Sequence, residues 1–210
     1  MSPLAVDFVG ARCGRCGFVV DAMESARLSA LERRLASVVE DWSEGRREVE
    51  AAEAEEIEGL IDGAFAQHAG ATRARRRLVD FYDGRGDAEA KTRHLRACCD
   101  FAAAAYPGAT ASHAWAVDSL ADALASAAES PAPPGAPASA RGEATDVEEV
   151  SAIESAGGAG ADAAAEGLRQ EAAAHYATAQ ETLEMMFGAK HCWTAEVVEK
   201  LARTEELLRH

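Results

Sequence analysis

The chain has 210 residues, of which 50 are alanine and only 36 are leucine, isoleucine, valine or phenylalanine, and it carries a net charge of −15. So few β-branched and aromatic residues exclude a β-sandwich or barrel. The same numbers describe a disordered acidic chain, unless alanine-rich helices, which lose no side-chain entropy, gather the large apolar residues into thin seams. The acidic balance also opposes nonspecific binding to nucleic acid or an anionic membrane, and no run of about 18 uncharged apolar residues is present to span a bilayer.

Residues 1–22 read as a segment of their own. Leu4 to Val9 alternates imperfectly like a strand, Cys13-Gly14-Arg15-Cys16-Gly17 makes a turn, and Phe18-Val19-Val20 is placed to return. The segment lacks the basic start and continuous apolar core of a secretory signal. With five cysteines, an odd number, this points to a reducing intracellular compartment, nucleus or cytoplasm. Two thiolates three positions apart around a glycine turn can grip one tetrahedral zinc, so Cys13 and Cys16 are candidate metal ligands forming half a site. Cys98-Cys99 and His191-Cys192 are poor completions, because adjacent side chains on a helix diverge by about 100°. A dithiol redox pair and two unligated cysteines are the other readings of Cys13 and Cys16.

From about Ser25 the apolar period becomes 3.6 residues. Leu28, Leu31, Leu35, Val38, Val39 and Trp42 share one helical face, as do Val49, Ile57, Leu60, Ile61, Ala64 and Phe65. A third, shorter helix is predicted from about Thr72 to Tyr82, ending at Asp83-Gly84-Arg85-Gly86. Two more follow as a hairpin. One runs from Asp87 to Tyr106 with Leu95, Cys98, Cys99 and Ala102 inward; the other runs from Ser112, a candidate N-cap, to Ala128, with Val117, Leu120, Ala121 and Leu124 inward. A final hairpin is predicted from about Ala164 to Phe187 and from Thr194 to Leu208, carrying Leu168, Ala172, Tyr176, Ala179 and Leu183, then Val197, Val198 and Leu201. A shift of 81 residues lays Ala114, Val117, Leu120 and Ala121 on Ala195, Val198, Leu201 and Ala202, a weak internal repeat.

Residues 130–165 interrupt this pattern. Four of the six prolines lie between 131 and 137, and the only large aliphatics are Val147, Val150 and Ile153. This is the composition of a disordered acidic Pro-Ala-Gly insertion, with room for one short helix around Asp146 to Ser155. It divides a helical lobe, 23–129, from the closing hairpin, 166–210.

The chemistry-bearing residues are sparse. Cys98 and Cys99 fall on an apolar face and read as small core residues, while His113, His175 and His191 lie at helix starts or surfaces. No serine or cysteine stands in a pattern with histidine and acid, so no hydrolase site is read. Ten acids against two arginines between Glu40 and Asp62 read as a solvated face. Arg73, Arg75, Arg76 and Arg77 form the reverse patch, which either pairs with that acidic helix or receives an acidic peptide.

Several of these stretches together resemble the C-terminal region of SET-and-MYND protein lysine methyltransferases. CGRCG at 13–17 looks like the last cysteine pair after the SET domain. His94-Leu95-Arg96-Ala97-Cys98-Cys99-Asp100, the Tyr106-Pro107-Gly108 turn and Ser112-His113-Ala114 are similar to the family's leucine- and cysteine-bearing helix, Pro-Gly turn and following Leu/Ala-rich helix. Phe65-Ala66-Gln67-His68 looks like the opening of the helical lobe, and Tyr176 to Phe187, Gly188, His191 and Thr194-Ala195 like the hairpin that closes it. The resemblance covers roughly 12–208 apart from the insertion. It implies an all-α lobe of antiparallel, tetratricopeptide-like hairpins that walls a substrate channel and binds protein or peptide. Zinc would belong to the cysteine pair. S-adenosylmethionine would belong only to a full-length parent, because the counterparts of the SET core and MYND finger are absent from this chain. The expectation is therefore a non-catalytic interaction module with Arg73, Arg75, Arg76 and Arg77 as a peptide-binding patch. A free-standing helical scaffold unrelated to methylation is the alternative.

Overall fold

The computed structural model describes residues 8–12, 17–66, 68–130 and 157–210, with side chains from 160 onward in the last stretch. Among these residues the secondary structure is helical, as the composition demands. The helices are α1 (Ala22–Ser43), α2 (Ala51–Leu60), α3 (Ala69–Gly84), α4 (Ala88–Ala105), α5 (Ala111–Glu129), α6 (Gly157–Phe187) and α7 (Cys192–Leu207), with α2 running on into a π-helical turn, Ile61–Phe65. Ahead of them, Arg12 and Val19 form an isolated antiparallel bridge. It is closed by Val20 N donating to Ala11 O and Gly10 N to Val20 O, each at 2.9 Å. The strand expected over Leu4 to Val9 lies mostly outside the described residues, as do Cys13, Cys16 and 131–156 of the insertion.

Helix starts follow local capping chemistry. Asp21 accepts from Glu24 N at 2.8 Å and opens α1, and Asp87 accepts from Ala90 N at 2.9 Å at α4. The cap of α5 is Thr110, whose backbone is extended and whose hydroxyl accepts from His113 N at 3.2 Å, so Ser112 lies inside the helix and not at its cap. Histidines cap two helices through an unprotonated Nδ1: His68 accepts from Gly70 N at 3.0 Å, and His191 from Trp193 N at 3.3 Å. Because His191 caps, α7 starts at Cys192, two residues before the predicted Thr194.

The chain divides into two compact units, 1–101 and 102–210. In the first, Leu35, Val38, Val39 and Trp42 of α1 meet Ala54, Ile57, Ile61 and Phe65 and close on Ala71, Ala74 and Leu78 of α3. In the second, α5 packs on α6 and α6 on α7, burying Val117, Leu120 and Leu124 with Ala172, Tyr176, Ala179, Leu183 and Val197. The 81-residue repeat does not survive in the burial pattern. Ala114, Val117, Leu120 and Ala121 are buried, whereas Ala195, Val198 and Ala202 are exposed and Leu201 only partly covered. A shift of 80 instead matches Ala114 and Val117 to the buried Thr194 and Val197; one residue of slip turns a helix by about 100°, which moves an apolar set off the core face.

Candidate functional site

In the first unit the polar groups converge on His94. The ring is 1% exposed, brought inward because it lies four residues before Cys98 on the buried stripe of α4. Its Nε2 is 2.5 Å from Glu58 Oε1, and its Nδ1 faces Arg75 Nη1 at 3.5 Å. These neighbours fix the tautomer: Nε2–H donates to the carboxylate and Nδ1 accepts from the guanidinium. Arg75 also donates to Asp62 at 2.8 Å, Arg93 donates to Glu58 at 3.1 Å, and Tyr82 stacks on the imidazole at 5.5 Å. Burial holds the His94 imidazole below its ordinary range against the pull of Glu58, with Arg93 and Arg75 assisting, so the ring is neutral at pH 7. Burial and the Glu58 hydrogen bond likewise raise the Tyr82 hydroxyl. Two arginines balance two carboxylates here, and the chemistry of the set is that of a neutral polar staple across α2, α3 and α4.

That network resolves the arginine patch. Arg75 is buried and turned inward to Asp62, the pairing with the acidic stretch that the sequence offered. Arg77 lies within 3.5 Å of Asp80 and 3.4 Å of Ser43 Oγ. Only Arg73 and Arg76 are exposed. Helical spacing turns Arg75 inward, whereas Arg73, Arg76 and Arg77, at i, i+3 and i+4, share one face of α3.

Cys98 and Cys99 are buried, as their stripe predicted. Cys98 Sγ lies 4.0 Å from Thr72 O. Burial raises both thiols, Cys99 to about 12, so neither supplies a thiolate near neutrality. Among the described residues no group of three or more His, Cys, Asp or Glu side chains is placed to hold a metal ion.

The second unit holds a cleft and an apolar face. The cleft, about 300 Å³, is lined by Arg169, Tyr176, Lys200 and Arg203 among others. Its cations already have acceptors. Lys200 reaches Asp118 and Asp122, each at 3.0 Å, and Glu196 at 3.7 Å. Arg203 is 3.9 Å from Glu129, and Arg169 donates to Ala128 O at 3.3 Å. Tyr176 donates to Asp122 at 2.6 Å. Burial works against the Lys200 charge, yet Asp122 and Asp118 outweigh it and hold the ammonium above its ordinary range; burial also raises the Asp118 carboxyl.

The apolar face lies where α5 begins and the α6–α7 turn closes. Trp115 meets Trp193 edge to face at 5.4 Å, and Phe187 meets Trp193 in the same way at 5.2 Å, with His191 packed between Phe187 and Trp193. These large rings remain open to solvent: Trp115 is 47% exposed, Trp193 41% and Phe187 37%, and Met185 and Met186 lie beside Phe187 in sequence with 76% and 39% exposed. Gly188, at φ +88°, makes the turn that brings Phe187 back against Trp193. The sequence reading missed this face. Its available signal was three large apolar residues, Trp115, Phe187 and Trp193, off the predicted buried stripes.

No known protein family and no curated protein matches the chain.

Proposed function

We propose that the chain is a non-catalytic protein-interaction module that docks a segment of a partner protein on the Trp115–Phe187–Trp193 face. The observation that carries this reading is that face itself. Clustered exposed tryptophan and phenylalanine are residues that anchor protein interfaces and are seldom left open on a surface without a partner. In the His94 network two arginines offset two carboxylates, and Lys200 and Arg203 in the cleft stand beside carboxylates, with Arg75 Nε and Arg169 Nε buried without a hydrogen-bond partner among the described residues; charges paired in this way fit a scaffold. In the arrangement its resemblance implies, the module would be equivalent to the C-terminal lobe of a SET-and-MYND lysine methyltransferase and cover a substrate cleft. A free-standing scaffold would use the same face. Selection of displayed random peptides on the full chain tests the reading, with Trp115→Ser plus Trp193→Ser as the counter-target. Enriched peptides should lose binding to the variant while its helical circular dichroism is retained. Enrichment that ignores both tryptophans, or no enrichment, overturns docking at this face. A reading frame upstream encoding a SET core would support the family placement, and an unrelated one would remove it.

A further inference from the structure

We infer that the occupant of the aromatic face is a basic segment of a partner protein, carrying arginine or lysine on either side of one large apolar anchor; this rests on the docking reading above. The charge around the rings is one-sided. Glu184 lies one turn before Phe187 and Glu196 one turn after Trp193, so each carboxylate flanks an aromatic on its own helix. Both glutamates are exposed. Among the described residues Glu181 and Glu184 pair with no cation, and Glu196 shares Lys200 with Asp118 and Asp122. One ammonium against three carboxylates leaves that cluster at −2. Lys190, in the turn, is the single opposing charge on residues 181–199.

Each part of the surface selects a feature of the ligand. Trp115 and Trp193 are about half covered, at 47% and 41% exposed, and a guanidinium laid on the open part of an indole gains a cation–π contact as well as the glutamates. The net charge of −15 on the whole chain attracts a basic segment from a distance. It repels a second copy of the chain and an anionic bilayer, so both are poorer occupants.

The test uses three synthetic peptides of one length with the same central tryptophan and leucine, flanked by arginines, by glutamines or by glutamates. Each is titrated into the full chain at low and moderate salt and followed by calorimetry and by tryptophan emission with a tryptophan-to-naphthylalanine version of the peptide. The arginine peptide should bind at least about tenfold tighter than the glutamine one, a difference of about 1.4 kcal/mol. Salt should narrow the gap, and the glutamate peptide should bind weakest. Glu184→Gln with Glu196→Gln should remove most of the arginine preference while leaving glutamine-peptide binding in place. Equal binding of the arginine and glutamine peptides, with loss in the Trp115→Ser, Trp193→Ser variant, overturns the basic partner and leaves docking standing. Binding of all three peptides that ignores the tryptophans, or binding of none, overturns both. Self-association through this face, or an emission shift with phosphatidylserine vesicles that the tryptophan substitutions abolish, overturns the basic segment as occupant.

Discussion

His94 Nε2 and Glu58 Oε1 lie 2.5 Å apart although 36 residues separate them in the chain, so one hydrogen bond ties α4 to α2. Removing the ring takes one partner from Glu58 and one from the buried Arg75, leaving each with its remaining ion pair, and opens a void beside Tyr82. His94→Ala should lower the unfolding free energy by about 3 kcal/mol, read as a shift in urea midpoint with an unchanged slope. A loss under about 1 kcal/mol would mean that water replaces the ring without penalty.

The same residue sets a pH dependence. Burial holds the folded imidazole below its ordinary value of 6.5, so as pH falls the unfolded chain takes up the proton first. Stability from the neutral ring is therefore complete above about pH 6.5 and is lost as pH falls from there toward the folded value, at up to about 1.4 kcal/mol per pH unit. Glu58 faces the ring from α2, Arg75 and Tyr82 from α3, and Arg93 lies on α4 itself. Denaturation between about pH 7.5 and 5.5 should show this decline, and His94→Gln should flatten it. An equal slope in both proteins would place the titration elsewhere.

Thiol reactivity should sort by burial. In a Cys13→Ser, Cys16→Ser background, an aromatic disulfide reagent at mildly alkaline pH should label the exposed Cys192 at once. Cys98 and Cys99 should react only as fast as the fold opens, because burial raises both thiols. Rapid labelling of all three would contradict the packing of α4.

Lys200 should matter more than a surface ion pair. Its side chain is one-quarter exposed, and its ammonium answers Asp118, Asp122 and Glu196 together. Lys200→Met leaves Asp118 partly buried without its cation and should lower stability by about 1–3 kcal/mol. Tyr176→Phe, which removes the phenol donor from the half-exposed Asp122, should lower it by about 1 kcal/mol. The two losses should fall short of additive in a double variant, since both act on Asp122.

The helical architecture was legible because burial follows a 3.6-residue rhythm that Leu35, Val38, Val39, Trp42, Ile57 and Leu78 display openly. Helix ends were less so: Thr110 and His191 cap through geometry that a propensity rank does not carry. The burial of His94 was not read, although it shares the stripe of Cys98 and Ala102, because that burial depends on Glu58 and Arg75 arriving from helices distant in sequence. Of the arginines of α3 that read as one patch, the helix turns Arg75 inward and keeps Arg73, Arg76 and Arg77 on one face, a split that the linear string does not display. Trp115, Phe187 and Trp193 are scattered in sequence and become a single surface only when the α6–α7 turn folds back, which periodicity does not encode.

The alanines of α5 and α6 carry a consequence for alignment. Ala114 and Ala121 on one helix and Ala172 and Ala179 on the other are at most 1% exposed, so much of this packing is between methyl groups. Such a surface repeats itself from turn to turn, and a helix slid along it by one turn would meet nearly the same landscape. Beside the buried Leu120, Leu124 and Leu183, polar contacts break that degeneracy: the Tyr176 hydroxyl donates to Asp122, and Lys200 fixes α7 against Asp118 and Asp122. These contacts act as a detent, converting helices that could idle at several offsets into a pair with one resting position.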